Sequence, residues 1–168
     1  MPFELDGGAR VLIRPIEPGD KDRLVTGLSQ LSDESIRRRF LAAKPRFSRS
    51  ELRYLTEVDG VNHIALVAVL ADDPDQLVAV ARCVRLPDRP ATAEMAIVVG
   101  DPWQGQGLGR ELAQRLADAA RAAGIRRFAA TMLGDNEAAR RLMRTFSRRL
   151  EEGRVSGGLR EVLVELAA

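Results

Sequence analysis

The sequence predicts an α/β (α+β) fold, a mixed and mostly antiparallel twisted sheet of six to seven strands flanked by helices on both faces. Two observations lead to this prediction. Three β-rich runs follow one another through turn-like connections, which is typical of an antiparallel meander. After them a strand, an amphipathic helix and another strand alternate, which indicates parallel pairing with helices packed on the sheet.

The first third of the chain is predicted to be one strand followed by helices. Apolar and polar residues alternate in the segment before Pro15, as in a half-buried strand. Ser48 and Glu51 form a capping box, a sequence signature of a helix start. We predict a strand over residues 10–15 and helices over residues 20–31, 33–40 and 48–57.

The rest of the chain carries the sheet and two longer helices. Apolar residues recur at helical spacing after residue 108, and Gly124 lies where a C-terminal cap is expected. We predict strands over residues 62–70, 77–86, 91–99 and 128–132, and helices over residues 108–120 and 136–146. Val155 and residues 159–166 are predicted to form a closing hairpin around Gly157 and Gly158.

Length and composition limit the classes of function. The 168 residues fit a single domain, and 26 basic against 24 acidic residues, interleaved along the chain, indicate no nucleic-acid partner. Cys83 is the only cysteine, so no intramolecular disulfide can form. No run approaches the ~20 apolar residues that span a bilayer. We expect a cytoplasmic protein with no membrane partner, and no metal site, because Cys, His and carboxylates do not cluster.

A glycine-rich turn over residues 104–109 joins an apolar strand directly to a helix. A helix N-terminus presents unpaired backbone N–H groups and the positive end of the helix dipole, and so binds anions. Arg110 occupies the position of the last glycine in a dinucleotide fingerprint, and no Gly-Lys-Ser/Thr of a P-loop is present. The turn is therefore either another type of phosphate site or an ordinary helix cap.

The spacing of Gln104, Gly107 and Gly109 resembles the pyrophosphate signature of the GCN5-related N-acetyltransferase (GNAT) superfamily, which binds acetyl-CoA. Asn136 resembles the asparagine that opens a helix beside the pantetheine arm in that family. The resemblance implies one N-acetyltransferase domain over residues 1–168, with acetyl-CoA as the acyl donor. The cofactor-binding residues that it implies are Ile97, Val98, Val99, Gln104, Gly105, Gln106, Gly107, Leu108, Gly109, Arg110, Asn136 and Arg140.

The N-terminal part has a narrower resemblance. Segments 14–20, 31–40, 58–60 and 65–69 are similar to the Pat-type bacterial protein lysine acetyltransferases. This resemblance implies transfer of an acetyl group to a primary amine, with a protein lysine as the first expectation. A small-molecule amine (polyamine, aminoglycoside or amino acid), a protein N-terminus, or a non-catalytic acyl-CoA-sensing module are the alternatives. Both a monomer and a homodimer fit the sequence.

Acetyl transfer to an amine needs a base, because an ammonium has no lone pair and free lysine has a pKa near ~10.4. Glu94 matches the family's common glutamate, and we predict that it is this base, with a pKa raised by partial burial. A solvated charge on a half-exposed strand is the alternative. Many members use a tyrosine in the last helix to protonate the departing thiolate. Residues 142–150 contain Phe146 and no tyrosine, so the sequence assigns no general acid.

Other residues have both a structural and a functional interpretation. His63, the only histidine, is either a second proton acceptor or structural, Cys83 is expected in the core, and Tyr54 packs or lines the acceptor groove. Residues 37–39, all arginine, either line the acceptor side or are solvated. The same alternative, CoA phosphates or solvent, applies to Arg110, Arg140, Arg141 and Arg144.

Overall fold

The computed structural model describes residues 2–41, 46–146 and 150–166, and within them eight strands form one sheet. The strands are β1 Phe3–Glu4, β2 Arg10–Pro15, β3 His63–Leu70, β4 Leu77–Leu86, β5 Arg89–Val99, β6 Arg127–Leu133, β7 Leu150–Glu152 and β8 Leu159–Glu165. Their order is β1-β2-β3-β4-β5-β6-β8-β7. Only β5 and β6 pair in parallel among these described strands.

Helices cover both faces of the sheet. They are α1 Lys21–Ser29, α2 Asp33–Phe40, α3 Arg49–Thr56, α4 Leu108–Ala122 and α5 Glu137–Phe146. One core lies between the sheet and the apolar side of α4, which is buried at Leu112 and Leu116. A second, smaller core lies on the opposite face, where Leu24 of α1 packs with Val80 of β4. We call this opposite side of the sheet the α1–α3 face.

The predicted fold class is confirmed, but residues 2–41, 46–146 and 150–166 contain eight strands rather than six to seven. The extra strands β1 and β7 contain two and three residues, too few to show an alternating pattern in the sequence. The closing hairpin forms, with Gly157 and Gly158 in its turn at φ values of 61° and 79°. Its first strand is β7, however, and not the segment around Val155.

Local signals in the sequence account for the starts of α2 and α3. The Ser32 hydroxyl accepts a hydrogen bond from the Ser35 N–H at 3.1 Å, which satisfies one of the unpaired N–H groups of a first turn. Ser48 and Glu51 form the predicted capping box, with bonds of 3.0 and 3.1 Å. Local hydrogen bonds alone therefore stabilise the N-termini of both helices.

Candidate functional site

The sheet splits between β5 and β6. The two strands pair only from Thr92 opposite Arg127 to Glu94 opposite Ala129, although β5 continues to Val99. The split forms a cleft of about 430 Å³, with residues 95–99 on one wall and residues 130–132 on the other. This volume is typical of small-molecule sites. Main-chain N–H and C=O groups of a parted strand need partners, and a ligand in the cleft can supply them.

The glycine turn lies at one end of this cleft. Gly105 and Gly107 have φ values of 72° and 89°, a left-handed conformation that favours glycine. Gly107 is the N-cap of α4, whose first hydrogen bond runs from the Glu111 N–H to the Gly107 carbonyl at 3.1 Å. Within the described ranges, no protein acceptor binds the backbone N–H groups of residues 107–110. These donors, with the exposed Arg110 that lines the cleft, can hold a phosphate.

The two glutamine side chains of the turn brace it from the protein side. The Gln104 amide donates to the Val99 carbonyl at 2.9 Å and to the Ser35 hydroxyl at 3.1 Å. The Gln106 amide accepts from the Gly7 N–H at 3.1 Å and donates to the Pro102 carbonyl at 3.0 Å. Gln106 and the buried Leu108 do not line the cleft, whereas Ile97, Val98, Val99, Gln104, Gly105, Gly107, Gly109 and Arg110 do.

A polar clamp that sequence reasoning missed joins α2 to this turn. The Asp101 carboxylate accepts hydrogen bonds from the N–H and hydroxyl of Ser32, at 3.0 and 2.7 Å, and from the Ser35 hydroxyl at 3.1 Å. Burial raises the pKa of Asp101, but these bonds outweigh it and hold the pKa below its usual value. An aspartate after a strand is common in loops, so nothing in the sequence marks Asp101 as a clamp.

Two residues near the start of α5, Asn136 and Arg140, were predicted to bind the cofactor, and one of them lines the cleft. Asn136 is buried, lines the cleft, and accepts a hydrogen bond from the Ala139 N–H at 3.1 Å. Arg140 does not line the cleft. Its guanidinium binds Glu152 through two bonds of 2.7 and 3.1 Å, and Glu137 at 2.5 Å. Here the structure departs from the prediction, because β7 places a carboxylate beside Arg140.

Glu94 lies where the strands begin to part, on the α1–α3 face. Successive side chains of a strand point to opposite faces, so Glu94 shares its face with Val98, which packs in the second core. The carboxylate is exposed, and the predicted partial burial is therefore wrong. The cleft lining starts one residue later, at Met95, so Glu94 lies at the rim of the cleft. Arg39 of α2 lines the cleft and interacts electrostatically with Glu94.

The remaining candidate residues are buried, pack against other side chains or form ion pairs. Burial raises the pKa of the Cys83 thiol to about 12, which keeps it protonated and unreactive. The Phe146 ring packs edge-on against Phe128 at 5.8 Å between centroids. Arg144 contacts Glu152 at 3.3 Å. In the described part of the chain, no three metal-ligating side chains come together, and no helix is long and apolar enough to cross a membrane.

Comparison with known proteins identifies this architecture. The family model described as the acetyltransferase (GNAT) family matches residues 33–147, which include the cleft, the glycine turn, and Ser35 and Asp101 of the clamp. The chain belongs to the GNAT family of acetyltransferases. The split between β5 and β6 and the glycine turn before α4 both lie within the matched residues.

Three relatives show how far the likeness extends. A relative named acetyltransferase Pat, from Mycolicibacterium smegmatis, is 36% identical over 85% of this chain, which spans only 42% of that protein's length. An acetyltransferase of Pseudomonas aeruginosa is 32% identical over 83% of the chain and 73% of its own length. The crystal structure of the GNAT domain of S. lividans PAT superposes with a TM-score of 0.86 at 31% identity, covering 99% of this chain and 96% of that one.

Proposed function

We propose that this chain is an acetyl-CoA-dependent N-acetyltransferase that moves an acetyl group directly to the amine of a protein lysine, with Glu94 as the general base. The observation that carries the proposal is the parting of β5 and β6 directly after Glu94. It puts a carboxylate at the rim of a cleft whose far end is a helix N-terminus. Membership of the GNAT family supports the same chemistry.

The cleft fits the parts of acetyl-CoA. Over Ile97–Val99 no strand pairs with the edge of β5 that faces the cleft, and this edge can bind the pantetheine amides as a neighbouring strand would. The amide NH2 of Asn136 has no protein partner in the described part of the chain and can donate to the same arm. The N–H groups of residues 107–110 and the guanidinium of Arg110 suit the pyrophosphate. Acetyl-CoA supplies a thioester carbonyl that an amine can attack.

Glu94 would take the proton that the lysine amine must lose. The amine nitrogen forms a bond to the thioester carbonyl carbon, the C–S bond breaks, and CoA leaves as a thiolate. Backbone N–H groups of β5 that face the cleft can stabilise the oxyanion. Phe146 offers no proton to the thiolate, but free thiols have a pKa near ~8.5, so departure without an acid is possible near neutral pH.

The exposure of this region supports a protein acceptor. Glu94 is exposed and Tyr54 is 57% exposed, so the α1–α3 face near the base is a surface that a polypeptide can approach. The similarity to the proteins named Pat also supports a protein acceptor. This chain spans 42% of the length of the Mycolicibacterium relative, and the protein acceptor is therefore part of the proposal.

Acetyl transfer to lysine peptides, followed by mass spectrometry, tests the proposal. We expect Glu94→Gln to lower kcat at least about tenfold while the Kd for acetyl-CoA is unchanged, because only proton removal is lost. Glu4→Gln removes an exposed carboxylate from the distant edge strand β1 and should leave kcat unchanged. Normal kcat in Glu94→Gln would refute the base. Binding of acetyl-CoA with no transfer to any amine would favour a non-catalytic acyl-CoA sensor.

A further inference from the structure

The α1–α3 face beside Glu94 carries a buried arginine. Arg82 of β4 is 6% exposed and lies opposite Ala96 of β5, whereas Glu94 lies opposite Val84. Arg82 and Glu94 are therefore diagonal neighbours on one face of two paired strands. Such neighbours have Cα atoms roughly 7–8 Å apart, a distance that long side chains bridge.

Arg82 is held in place without a carboxylate. Its Nη1 donates to the Leu55 carbonyl at 3.0 Å and contacts His63 Nε2 at 3.0 Å. Within the ranges that the structure describes, these are the hydrogen-bond partners of Arg82, and neither of them is a carboxylate. A buried cation without a counterion is costly, and an incoming anion would remove that cost.

His63 acts as a fixed support for Arg82. Arginine has donors only, so His63 Nε2 must be the acceptor and the imidazole is neutral, with its proton on Nδ1. Burial, and then the charge of Arg82, lower the pKa of His63 to about 4. The Tyr54 ring covers the imidazole at 4.9 Å between centroids. With its lone pair used by Arg82, His63 is unavailable as the second proton acceptor.

Arg39 adds a second positive charge to the same place. It reaches the face from α2, is half-buried, and lies over the Phe40 ring at 4.9 Å. Its charge repels that of Arg82 and is attracted by Glu94, so Arg39 interacts with both groups. Two guanidinium groups and one carboxylate therefore lie on the same face of the sheet. This arrangement disfavours a polycationic acceptor and favours one that brings a negative charge of its own.

We propose that Arg82 and Arg39 bind a carboxylate of the acceptor, and that the acceptor is a protein lysine with an aspartate or glutamate next to it. The lysine amine would meet Glu94 while the neighbouring carboxylate meets the guanidinium groups, since arginine forks match carboxylates in charge and geometry. This inference rests on the proposed function and narrows its substrate class. The same chemistry could come from the α-carboxylate of a free amino acid, which the experiment separates.

Three peptides that differ only beside the lysine, with Asp, Asn or Arg there, test the preference. We expect kcat/KM for the Asp peptide to exceed that for the Asn peptide at least about tenfold, and the Arg peptide to be slowest. Arg82→Gln and Arg39→Gln should each reduce the Asp-to-Asn ratio toward one. Arg121→Gln removes a charge from α4, on the other face of the sheet, and should preserve the ratio.

Binding measurements keep the inference testable apart from catalysis. Fluorescence anisotropy with the CoA-loaded protein should show tighter binding of the Asp peptide than of the Asn peptide, even if no peptide is acetylated. If Arg82→Gln fails to fold, Arg39→Gln carries the same comparison. Equal kcat/KM and equal Kd for the Asp and Asn peptides would overturn the inference. Faster transfer to free aspartate than to the Asp peptide would overturn the protein source of the carboxylate.

Discussion

His63 illustrates how one contact decides the role of a residue. The sequence left a proton acceptor and a structural residue as alternatives, because a single histidine at the start of an apolar strand is compatible with both. The structure places Arg82 Nη1 at 3.0 Å from Nε2, and that distance excludes a free lone pair. The deciding partner lies 19 residues away on the neighbouring strand, so no local pattern could have indicated it.

The neutral state of His63 makes stability depend on pH. Its pKa is about 4 in the folded protein and near ~6.5 in the unfolded chain. Because the folded pKa is depressed, the contribution of His63 to the free energy of unfolding is fully present above about pH 6.5. It is lost as the pH falls toward 4, since the unfolded chain binds the proton first. We expect urea unfolding to give about 2 kcal/mol less stability at pH 5 than at pH 7.5.

His63→Gln is the matched variant for this prediction. The glutamine carbonyl can still accept from Arg82 but does not titrate. Its free energy of unfolding should change much less between pH 7.5 and pH 5 than that of the parent chain. An equal loss in both proteins would show that other groups cause it.

At the scale of elements, the sequence predicted most helices and strands but not the polar side-chain contacts that hold them together. Amphipathic periodicity and capping residues are local, and they located α3, α4 and the meander β3–β5. The Asp101 clamp and the pair between Arg140 and Glu152 are tertiary, with partners up to 69 residues apart. That is why Asp101 was missed and Arg140 was assigned to the cofactor.

The clamp between α2 and the glycine turn should influence cofactor binding. Asp101→Ala removes the acceptor of three hydrogen bonds from Ser32 and Ser35, so only the bond from Gln104 to Ser35 still ties α2 to the turn. We expect the Kd for acetyl-CoA, measured by calorimetry, to rise about fivefold, or roughly 1 kcal/mol, the value of one or two net hydrogen bonds. Asp118→Ala, which removes an exposed partner of Arg121, should leave the Kd unchanged. An unchanged Kd in Asp101→Ala would limit the clamp to a structural role.

At the scale of the whole molecule, one parting of strands organises the site. The sheet is continuous from β1 to β5, and the parallel pair β5–β6 is the place where it splits. The helix N-terminus lies at one end of the split and Glu94 at the other, so donor and acceptor would meet from opposite sides. The glycine spacing predicted the first end. At the second end, Arg39 of α2 and Arg82 of β4 lie far apart in the sequence. Only folding brings their positive charges together, so the sequence does not predict this pair.

Thermal unfolding with and without acetyl-CoA tests the cofactor site most directly. Gly109→Glu is the informative variant, because an added Cβ would make an ordinary 3.8 Å contact with Val99 and the new carboxylate would lie at the anion site. Gly19→Glu adds the same charge where a Cβ meets nothing within 4 Å. At 100 times Kd, acetyl-CoA should stabilise the parent chain and Gly19→Glu by about 2.7 kcal/mol, and Gly109→Glu much less. No stabilisation of the parent chain, or equal stabilisation of all three proteins, would contradict the assignment of the cleft to acetyl-CoA.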